Sequence, residues 1–425
     1  MQYANCVAAF ARSWVASKAA LSSRSPLLRL LIPAVVVFLL LGLYLLATVP
    51  VPDRSAIWLP PTHESQGLAG QLVDDDDDGY PPETDASMKS AGNSTLGFGS
   101  VNFLYLSTRF DRLDAMSLQS YLSGIDVTEQ LGVGPEMIKD AGMPPTQKPR
   151  ELTIGEKGCW RAHANIWSAM LRQKLPPVLV LESDATWDVK IRQIMPRLNH
   201  HFRQFLADTK SAALPRAGWS EPAKVVAGNG SFDAAPAEDP WLSSHWDVLF
   251  LGQCHDTIEN KEVHRIYKDP SVPAGRDYWG RTLQHERVIR RSGGIICTTA
   301  YAVSETGAAK LLLRSAVNLD MPVDLMMREM ILSGDLVSYS VTPPIFAQYQ
   351  YAEGIGMEER GANSNIRGGQ LFSAFFSFFI RRKAWENVRL SGSVWTTKRA
   401  HEDVAFNEMA LQSAWRRIFG TKKTE

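Results

Sequence analysis

The sequence predicts an α/β fold in which a mixed sheet is flanked by helices and preceded by a single transmembrane helix. Short apolar segments rich in Val, Ile and Leu alternate with longer segments of helical periodicity between residues 99 and 350. This alternation is typical of a sheet covered on both faces by helices, and it favours mostly parallel strand pairing. Near the N-terminus, a run without charged residues is long enough to cross a membrane.

The predicted membrane anchor covers residues 30–51, close to the roughly 20 residues that a helix needs to span the hydrocarbon core. Residues 1–29 contain basic residues and no acidic residue. The positive-inside rule therefore predicts a cytoplasmic tail over 1–29 and a lumenal remainder. A cleaved signal peptide is the alternative, although its apolar region usually has only about 7 to 15 residues. We expect a type II signal-anchor protein of the Golgi membrane.

Residues 52–98 are rich in Pro, Gly, Ser and Asp and include five consecutive aspartates at positions 74–78. This composition predicts a disordered acidic stem between the membrane and the globular domain. The globular domain is expected over residues 99–350, followed by a C-terminal helical extension over 351–425. N-glycosylation triplets begin at Asn93 and Asn229, on the side of the anchor predicted to be lumenal.

Composition restricts the partners and the disulfides. The chain has 45 basic and 45 acidic residues, whereas a nucleic-acid-binding protein needs a basic excess, so we expect no nucleic acid partner. Cys6 lies in the predicted cytoplasmic tail. Three cysteines remain, which permits at most one internal disulfide: Cys159, Cys254 and Cys297.

The elements of the globular domain are predicted in order from apolar periodicity and from Pro, Gly and capping residues. Helices are expected at 109–125, 156–174, 188–208, 305–316 and 323–334, with a kink at Pro196 and an N-cap at Ser304. Strands are expected at 101–107, 177–182, 246–252, 293–304 and 336–341.

The segment VLVLESDATWD, residues 178–188, is an apolar run that ends in carboxylates. Ligands of open α/β sheets gather beyond the carboxyl ends of the strands, where Glu182 and Asp184 are expected. Two carboxylates that converge there can bind a hard divalent cation, which usually keeps waters and substrate phosphates. We therefore predict a metal–diphosphate site, with Asp188 starting the next helix.

Four segments then occur in a characteristic order: YLSTRFDRLDAM, GEKGCWRAHANIWSAML, VLVLESDATWD, and GGIICTTAYAVSETGAAKLL followed by MPVDLMM. Together they resemble glycosyltransferase family 25 over about residues 100–350. The resemblance implies a GT-A-like, Rossmann-type sheet, a UDP-sugar donor, a Mn²⁺-like cation and inversion at the anomeric carbon. Three positions depart from the family pattern: Tyr105 stands for Asn, Ala162 for Ser, and Ser183 for the middle acid of the triplet.

The resemblance also implies roles for individual carboxylates. Asp184 is the first choice of metal ligand, and Glu182 is a second ligand or a group that orients ribose or metal-bound water. Asp324, in MPVDLMM, is the candidate base for the acceptor hydroxyl, with Asp320 as the alternate. A helix N-terminal acid is an equally good interpretation of Asp324.

Other residues are candidates for binding the donor. Arg109 and Arg112 lie near a helix start and suit a phosphate or uracil, although a salt bridge to Asp111 or Asp114 is the alternative. His163 is either a donor-site residue or a core histidine. Gly294 would permit close approach of the backbone to the donor, and Gln348 is a candidate for the metal or phosphate.

Taken together, these features predict a glycosyltransferase that moves a hexose, most often galactose in this family, from a UDP-sugar to a glycan or glycoprotein. A non-catalytic binding protein is the alternative, motivated by Ser183. A metal-dependent hydrolase is a weaker alternative, because the sequence lacks an H-E-x-x-H motif.

Overall fold

A computed structural model describes residues 86–146, 152–214, 239–352, 392–397 and 406–420, together with residues 355, 386 and 388. These residues belong to one compact unit. The predicted cytoplasmic tail, the anchor over 30–51 and most of the stem lie outside the described residues. Among the residues that are described, no helix is long and apolar enough to cross a membrane.

Seven α-helices and fifteen strands are formed by the described residues. The helices are α1 Ala86–Ala91, α2 Phe110–Ser123, α3 Ile154–Gln173, α4 Ile191–Asp208, α5 Glu305–Val317, α6 Val323–Leu332 and α7 Ala410–Phe419. The strands are β1 Val101–Tyr105, β2 Thr128–Leu131, β3 Val178–Glu182, β4 Ala185–Trp187, β5 Val248–Phe250, β6 His255–Asp256, β7 His264–Lys268, β8 Arg276–Tyr278, β9 Arg281–Leu283, β10 Glu286–Arg291, β11 Ile295–Ile296, β12 Ala300–Val303, β13 Ser338–Thr342, β14 Phe346–Tyr351 and β15 Trp395–Thr397.

The central feature is an eight-stranded sheet in the order β2-β1-β3-β12-β5-β13-β10-β7. β1 pairs in parallel with β2 and β3, and β13 pairs in parallel with β5. The other four pairs, which involve β12, β10 and β7, are antiparallel. The predicted mixed sheet is therefore confirmed, but the expected parallel majority is wrong. β12 runs against both neighbours, so the sheet changes direction beside β3.

Alternation along β3 divides the core into two layers, one on each face of the sheet. Leu179 and Leu181 join an apolar cluster with α4, whereas Val178 and Val180 join a second cluster with α3, α5 and α6. All four side chains are fully buried. The sheet is thus flanked by helices on both faces, as predicted, and β3 occupies the middle of the core.

Helix starts follow the capping rules of the sequence. The Ser304 side chain accepts a hydrogen bond from the Gly307 N–H, so its predicted role as the N-cap of α5 is confirmed. Thr153 and Glu156 form a capping box at the start of α3. Pro196 lies inside α4. The segment 109–125 was predicted helical and contains α2, which ends at Gly124 in the left-handed conformation.

The single strand predicted over 293–304 is wrong, because the segment divides into β11 and β12. Between them Cys297 has a φ of 68°, which interrupts an extended strand. Cys297 forms a disulfide with Cys254, and Cys159 is the free cysteine of the described residues. The disulfide therefore links the segment between β5 and β6 to the segment between β11 and β12.

The predicted stem, 52–98, extends too far toward the C-terminus. Residues 86–91 form α1, which packs against α4. Leu96 and Phe98 are buried, and the Phe98 ring stacks on Trp241 at a centroid distance of 5.1 Å. Apolar side chains within a Gly- and Ser-rich stretch thus belong to the domain core, so residues 86–98 are part of the globular domain.

The predicted helical extension over 351–425 is also corrected in its described parts. β15 pairs with β14, and the Val189 N–H donates to the Glu408 carbonyl. A strand as well as a helix therefore continues the domain after residue 351.

The extent of the N-terminal boundary can be tested by truncation. A fragment that begins at residue 80 should fold, whereas one that begins at residue 99 loses buried Met88, Leu96 and Phe98. Each side chain contributes about 1.5–3 kcal/mol, so we expect the shorter fragment to be less stable by several kcal/mol or insoluble. Urea denaturation of the two fragments measures the difference.

Two leucine substitutions give a matched control in the longer fragment. Leu96→Ala should destabilise by about 2–5 kcal/mol because Leu96 is fully buried, whereas Leu313→Ala, at a side chain 66% exposed, should change little. Equal stability of the two truncated fragments would contradict the boundary at residue 86.

Candidate functional site

Glu182 is the last residue of β3 and lies between two strands. It is paired with Leu104 of β1, and its N–H donates to the Thr299 carbonyl just before β12. Its carboxylate Oε1 accepts a hydrogen bond of 2.5 Å from the Thr298 hydroxyl. The same oxygen lies 3.7 Å from His163 Nε2. Glu182 therefore lies at the carboxyl end of β3, as predicted.

His163 projects from α3 and is 1% exposed. Its Nδ1 lies 2.8 Å from the Tyr301 hydroxyl, which also accepts a hydrogen bond of 3.1 Å from Trp167 Nε1. Because the Tyr301 oxygen accepts from Trp167, its own hydrogen is available to His163 Nδ1. The other ring nitrogen of His163, Nε2, faces Glu182. His163 is thus a buried, hydrogen-bonded histidine that supports a carboxylate.

The surroundings of Glu182 determine its charge. Burial alone raises the pKa of Glu182, but the nearby His163, the hydrogen bond from Thr298 and the positive charge of Arg112 outweigh burial and lower it. The carboxylate is therefore ionised at neutral pH. Because its lowered pKa makes Glu182 a weak base, the carboxylate suits a cation or an orienting role better than general-base catalysis at neutral pH.

Asp184 follows Glu182 after one residue and faces Arg112. Arg112 Nη2 lies 3.3 Å from Asp184 Oδ2, and Arg112 Nη1 donates to the Ser183 hydroxyl at 2.6 Å. The side chains of Arg112 and Asp184 are 11% and 15% exposed. One arginine from α2 therefore spans both residues that follow Glu182.

Arg109 is paired with a carboxylate of the protein, whereas a role in donor binding would require it to face a phosphate. Its guanidinium forms two hydrogen bonds with the Asp111 carboxylate, at 2.8 and 2.7 Å. The Tyr351 hydroxyl also donates to Asp111, at 3.3 Å. The salt bridge that the sequence left open as an alternative is thus present for Arg109, whereas Arg112 reaches the acidic triplet.

Tyr349 of β14 lies beside this arginine. Its N–H donates to the Asp184 carbonyl at 2.8 Å. Burial raises the pKa of Tyr349 well above its usual range, while the nearby positive charge of Arg112 lowers it. Within the described residues, the buried Tyr349 hydroxyl has no hydrogen-bond partner. An unbonded phenol therefore lies against the Arg112–Asp184 pair.

Gln348 precedes Tyr349 in β14 and pairs with Ala185 of β4. Successive side chains of a strand point to opposite faces. Tyr349 and Tyr351 both influence Arg109, so their shared face is the one that faces the arginines. Strand alternation therefore places the Gln348 side chain on the other face, away from the cluster formed by Asp184 and Arg112.

Asp324 lies in the first turn of α6, as expected for a helix N-terminal acid. Its Oδ2 accepts a hydrogen bond of 3.2 Å from the Cys297 N–H, and its Oδ1 accepts one from the Leu325 N–H. Since the next residue, Thr298, donates to Glu182, adjacent residues bind both proposed catalytic carboxylates. The structure thus brings Asp324 to the same segment as Glu182.

Asp320, the alternate base, is bound elsewhere, because its carboxylate accepts hydrogen bonds from Arg314 and Asn318. Gly294 also has a local structural role. Its N–H and that of Gly293 donate to the buried carboxylate of Asp256, at 2.9 and 3.0 Å. Both glycines therefore fix the loop after β10.

Cys159 of α3 marks the convergence of three elements. Burial raises the pKa of this thiol well above its usual range, and the negative charges of Glu182, Asp324 and Asp184 raise it further. These charges act on Cys159 from β3, from the turn after it and from α6. Glu182, Asp184 and Asp324 therefore lie close enough to Cys159 for their charges to act on it.

The C-terminal segment also packs against Tyr349. Met409 and Leu411 pack with Tyr349 and Ala115 in a small apolar cluster. The Glu408 N–H donates to Asp188, which was predicted to start α4 but lies ahead of it, because the helix begins at Ile191 and Asp188 is bridged to Met409. Residues 406–411 thus pack against β14 and support Tyr349.

The donor atoms can be compared with the requirements of a metal. In the described parts of the chain, no three His, Cys, Asp or Glu side chains form a group that could hold a metal ion. Glu182 and Asp184 supply oxygen ligands from one strand end, which fits a hard cation that is completed by phosphates and waters. The residues therefore fit a cation bound together with a diphosphate, and do not form a protein-only cage.

The family model described as Glycosyltransferase family 25 (LPS biosynthesis protein) matches residues 103–218. The resemblance to glycosyltransferase family 25 is confirmed. The match begins in β1 and contains Arg109, Arg112, His163 and the triplet 182–184. Gly294, Asp324 and Gln348 lie outside the segment that matches family 25.

Curated relatives point to the same family. The chain is 25% identical over 282 residues to the human inactive glycosyltransferase 25 family member 3, covering 61% of this chain and 38% of that protein. It is 41% identical over 175 residues to a glycosyltransferase 25 family member of Drosophila melanogaster, covering 41% and 19%. It is 22% identical over 258 residues to procollagen galactosyltransferase 1 of Danio rerio, covering 57% and 33%. The chain thus spans 19 to 38% of the length of these relatives.

Sequence reasoning missed Thr298 and Tyr349. Thr298 is part of the CTTAYAV segment. The sequence predicts only a continuous strand there and gives no indication that Thr298 contacts an acid. Tyr349 is adjacent to the candidate Gln348, and strand alternation alone could have suggested that one of the two faces the acids. Neither position carries a motif that identifies its partner.

The contact between Thr298 and Glu182 predicts a pH-dependent stability. The folded pKa of Glu182 is lowered, so its charge contributes stability that is present above its unfolded pKa of about 4.3 and is lost as pH falls through the folded pKa. Thr298→Val should raise the folded pKa and cost about 1.5–3 kcal/mol at neutral pH. Urea denaturation across a pH series should show this cost shrinking below about pH 4.

Thr209→Val is the matched control, because the Thr209 hydroxyl donates to carbonyls that do not titrate. Its effect on stability should be independent of pH. A pH-independent cost for Thr298→Val as well would contradict the assignment of an ionised Glu182.

Removal of the hydroxyl from Tyr301 and from Tyr349 should have opposite effects on stability. Tyr301→Phe deletes the group that bonds His163 and Trp167 and should cost about 1–3 kcal/mol, because both partners stay buried. Tyr349→Phe removes a buried hydroxyl that has no partner in the described structure, so stability should be unchanged or higher. Thermal unfolding of both variants measures the contrast, and a larger loss for Tyr349→Phe would refute it.

Proposed function

We propose that the chain is a type II membrane glycosyltransferase that moves a hexose from a UDP-sugar to a glycan or glycoprotein, with inversion and with a divalent cation. One observation carries the proposal. Within the segment that matches family 25, Glu182 and Asp184 emerge together at the carboxyl end of a central strand, beside the cationic Arg112. This is where ligands of open α/β sheets bind.

Asp184 and Glu182 are the residues that would hold a Mn²⁺-like cation. When bound, such a cation supplies Lewis-acid neutralisation of the charge that develops on a departing diphosphate. His163 and Thr298 keep Glu182 oriented through their contacts with its carboxylate. Arg112 supplies a guanidinium that can bind phosphate oxygens in a fixed geometry.

Asp324 is the proposed base for the acceptor hydroxyl. The Cys297 N–H holds its carboxylate at 3.2 Å, next to the residue that bonds Glu182. An inverting displacement requires a carboxylate that removes the acceptor proton from the face opposite the leaving group. The two acids are carried by separate elements, α6 and β3, so one can act on the acceptor while the other serves the donor side.

The donor sugar and the location rest on similarity and on the sequence. The name of the Danio rerio relative, procollagen galactosyltransferase 1, supports galactose as the sugar and a glycoprotein as the acceptor. The basic tail and the apolar run over 30–51 support a Golgi location with a lumenal catalytic domain.

A non-catalytic, nucleotide-binding protein is the second candidate function. Ser183 stands where the family has a carboxylate, and it is bound to Arg112. The human relative is named an inactive glycosyltransferase 25 family member. Such a protein would bind UDP without breaking the bond between UDP and the sugar.

Donor hydrolysis by the purified full-length chain distinguishes the two functions. We expect slow, Mn²⁺-dependent release of UDP from UDP-galactose, and Asp184→Asn should reduce the rate by about a hundredfold or more, because the cation contributes several kcal/mol. Chelation with EDTA should have the same effect. Asp208→Asn, at an exposed ion pair with Arg265, is the control.

Ser183→Asp tests the second candidate directly. If the wild-type chain binds UDP and releases none from any UDP-sugar while Ser183→Asp gains activity, the protein is a non-catalytic binder that lost one acid. If neither chain binds UDP, both functions are excluded.

A further inference from the structure

Arg112 occupies the carboxylate that the proposed cation needs. Its Nη2 lies 3.3 Å from Asp184 Oδ2, and both side chains are largely buried. A guanidinium and a divalent cation that share one carboxylate repel each other, and partial burial strengthens that repulsion. Cation binding at Asp184 is therefore favoured when Arg112 turns away from it.

Arg112 is held in a way that permits this movement. Arg109 is fixed by two short hydrogen bonds to one carboxylate, whereas Arg112 has a neutral hydroxyl at 2.6 Å and a longer ion pair. The Ser183 hydroxyl accepts from Arg112 without adding a negative charge. With an aspartate at 183, two carboxylates would retain Arg112, so serine leaves it easier to transfer to another anion.

A nucleotide diphosphate is an anion of the right chemistry to receive Arg112. Guanidinium groups bind phosphate oxygens through a planar fork, and Arg112 lies in the first turn of α2, whose N–H groups also favour anions. An Arg112 that moves to the diphosphate leaves Asp184 more negative. The carboxylate is then a stronger ligand for a cation.

We propose that Arg112 restrains Asp184 until a nucleotide diphosphate binds, so that nucleotide and divalent cation bind cooperatively through exchange of this one ion pair. The inference rests on the proposed function, because it takes Asp184 as a cation ligand. Coupling between two ligands is reciprocal, so the cation strengthens nucleotide binding by the same factor.

The test measures binding by the full-length chain and does not require turnover. Free Mn²⁺ is titrated by its electron paramagnetic resonance signal with and without saturating UDP. For the wild type, UDP should strengthen Mn²⁺ binding by about tenfold or more, within the usual range of coupling. In Arg112→Gln, Mn²⁺ without UDP should bind more tightly than in the wild type, and the enhancement by UDP should be several-fold smaller than in the wild type, leaving the part that comes from direct coordination of the cation by the diphosphate.

Two further variants separate this role from a general loss of structure. Arg112→Lys keeps the charge and loses the fork, so it should retain weak Mn²⁺ binding without UDP while losing most of the enhancement. Arg265→Gln breaks an arginine–aspartate ion pair outside the site and should keep the wild-type coupling. Thermal unfolding of each variant checks that it is folded.

The outcomes distinguish this inference from the proposed function. If Arg112→Gln keeps the full enhancement, the exchange is wrong while a metal-dependent transferase stands. If the wild type binds UDP and Mn²⁺ independently, both the exchange and the joint cation–diphosphate site are wrong. If the wild type binds UDP and no Mn²⁺ under either condition, the cation requirement falls, and the exchange falls with it.

Discussion

The site depends on the need to satisfy one largely buried carboxylate. Glu182 ends a strand inside the core, and an ionised carboxylate there is costly unless it is hydrogen-bonded. His163 and Thr298 meet that need from α3 and from the segment before β12. The same contacts align three elements of different parts of the chain. Strand β12 reverses direction next to β3 and so presents Thr298 at the acid, which a parallel neighbour entering from the other end would not do.

Local patterns in the sequence were sufficient where short-range chemistry decides the structure. The apolar run before Glu182, the Ser304 cap and the helix that carries His163 all follow from periodicity and capping residues. They were insufficient where the outcome depends on residues far apart. The division of 293–304 follows a disulfide to Cys254, and the partner of Arg112 is set 71 positions away. The boundary at residue 86 was missed because composition hid three core side chains in a Gly- and Ser-rich stretch.

Charge around the candidate site is balanced within the protein itself. Arg109 faces Asp111, Arg112 faces Asp184, and Glu182 lies beside His163 and accepts a hydrogen bond from Thr298. A ligand that enters such a site binds by exchanging partners, and its affinity is the difference between new contacts and those that it replaces. In the proposed exchange, Ser183 matters because it is neutral: it adds no second carboxylate that would hold Arg112 near Asp184.

Residues 406–411 support the candidate site although they lie outside all of its sequence motifs. Met409 and Leu411 pack under Tyr349, and Glu408 holds Asp188. A chain that ended before residue 406 would retain every acid and arginine of the motifs while losing the wall behind them. The motifs would be unchanged in such a shortened chain, although the packing against Tyr349 and the hydrogen bond to Asp188 would be lost. The integrity of this site therefore depends on residues outside its signature segments.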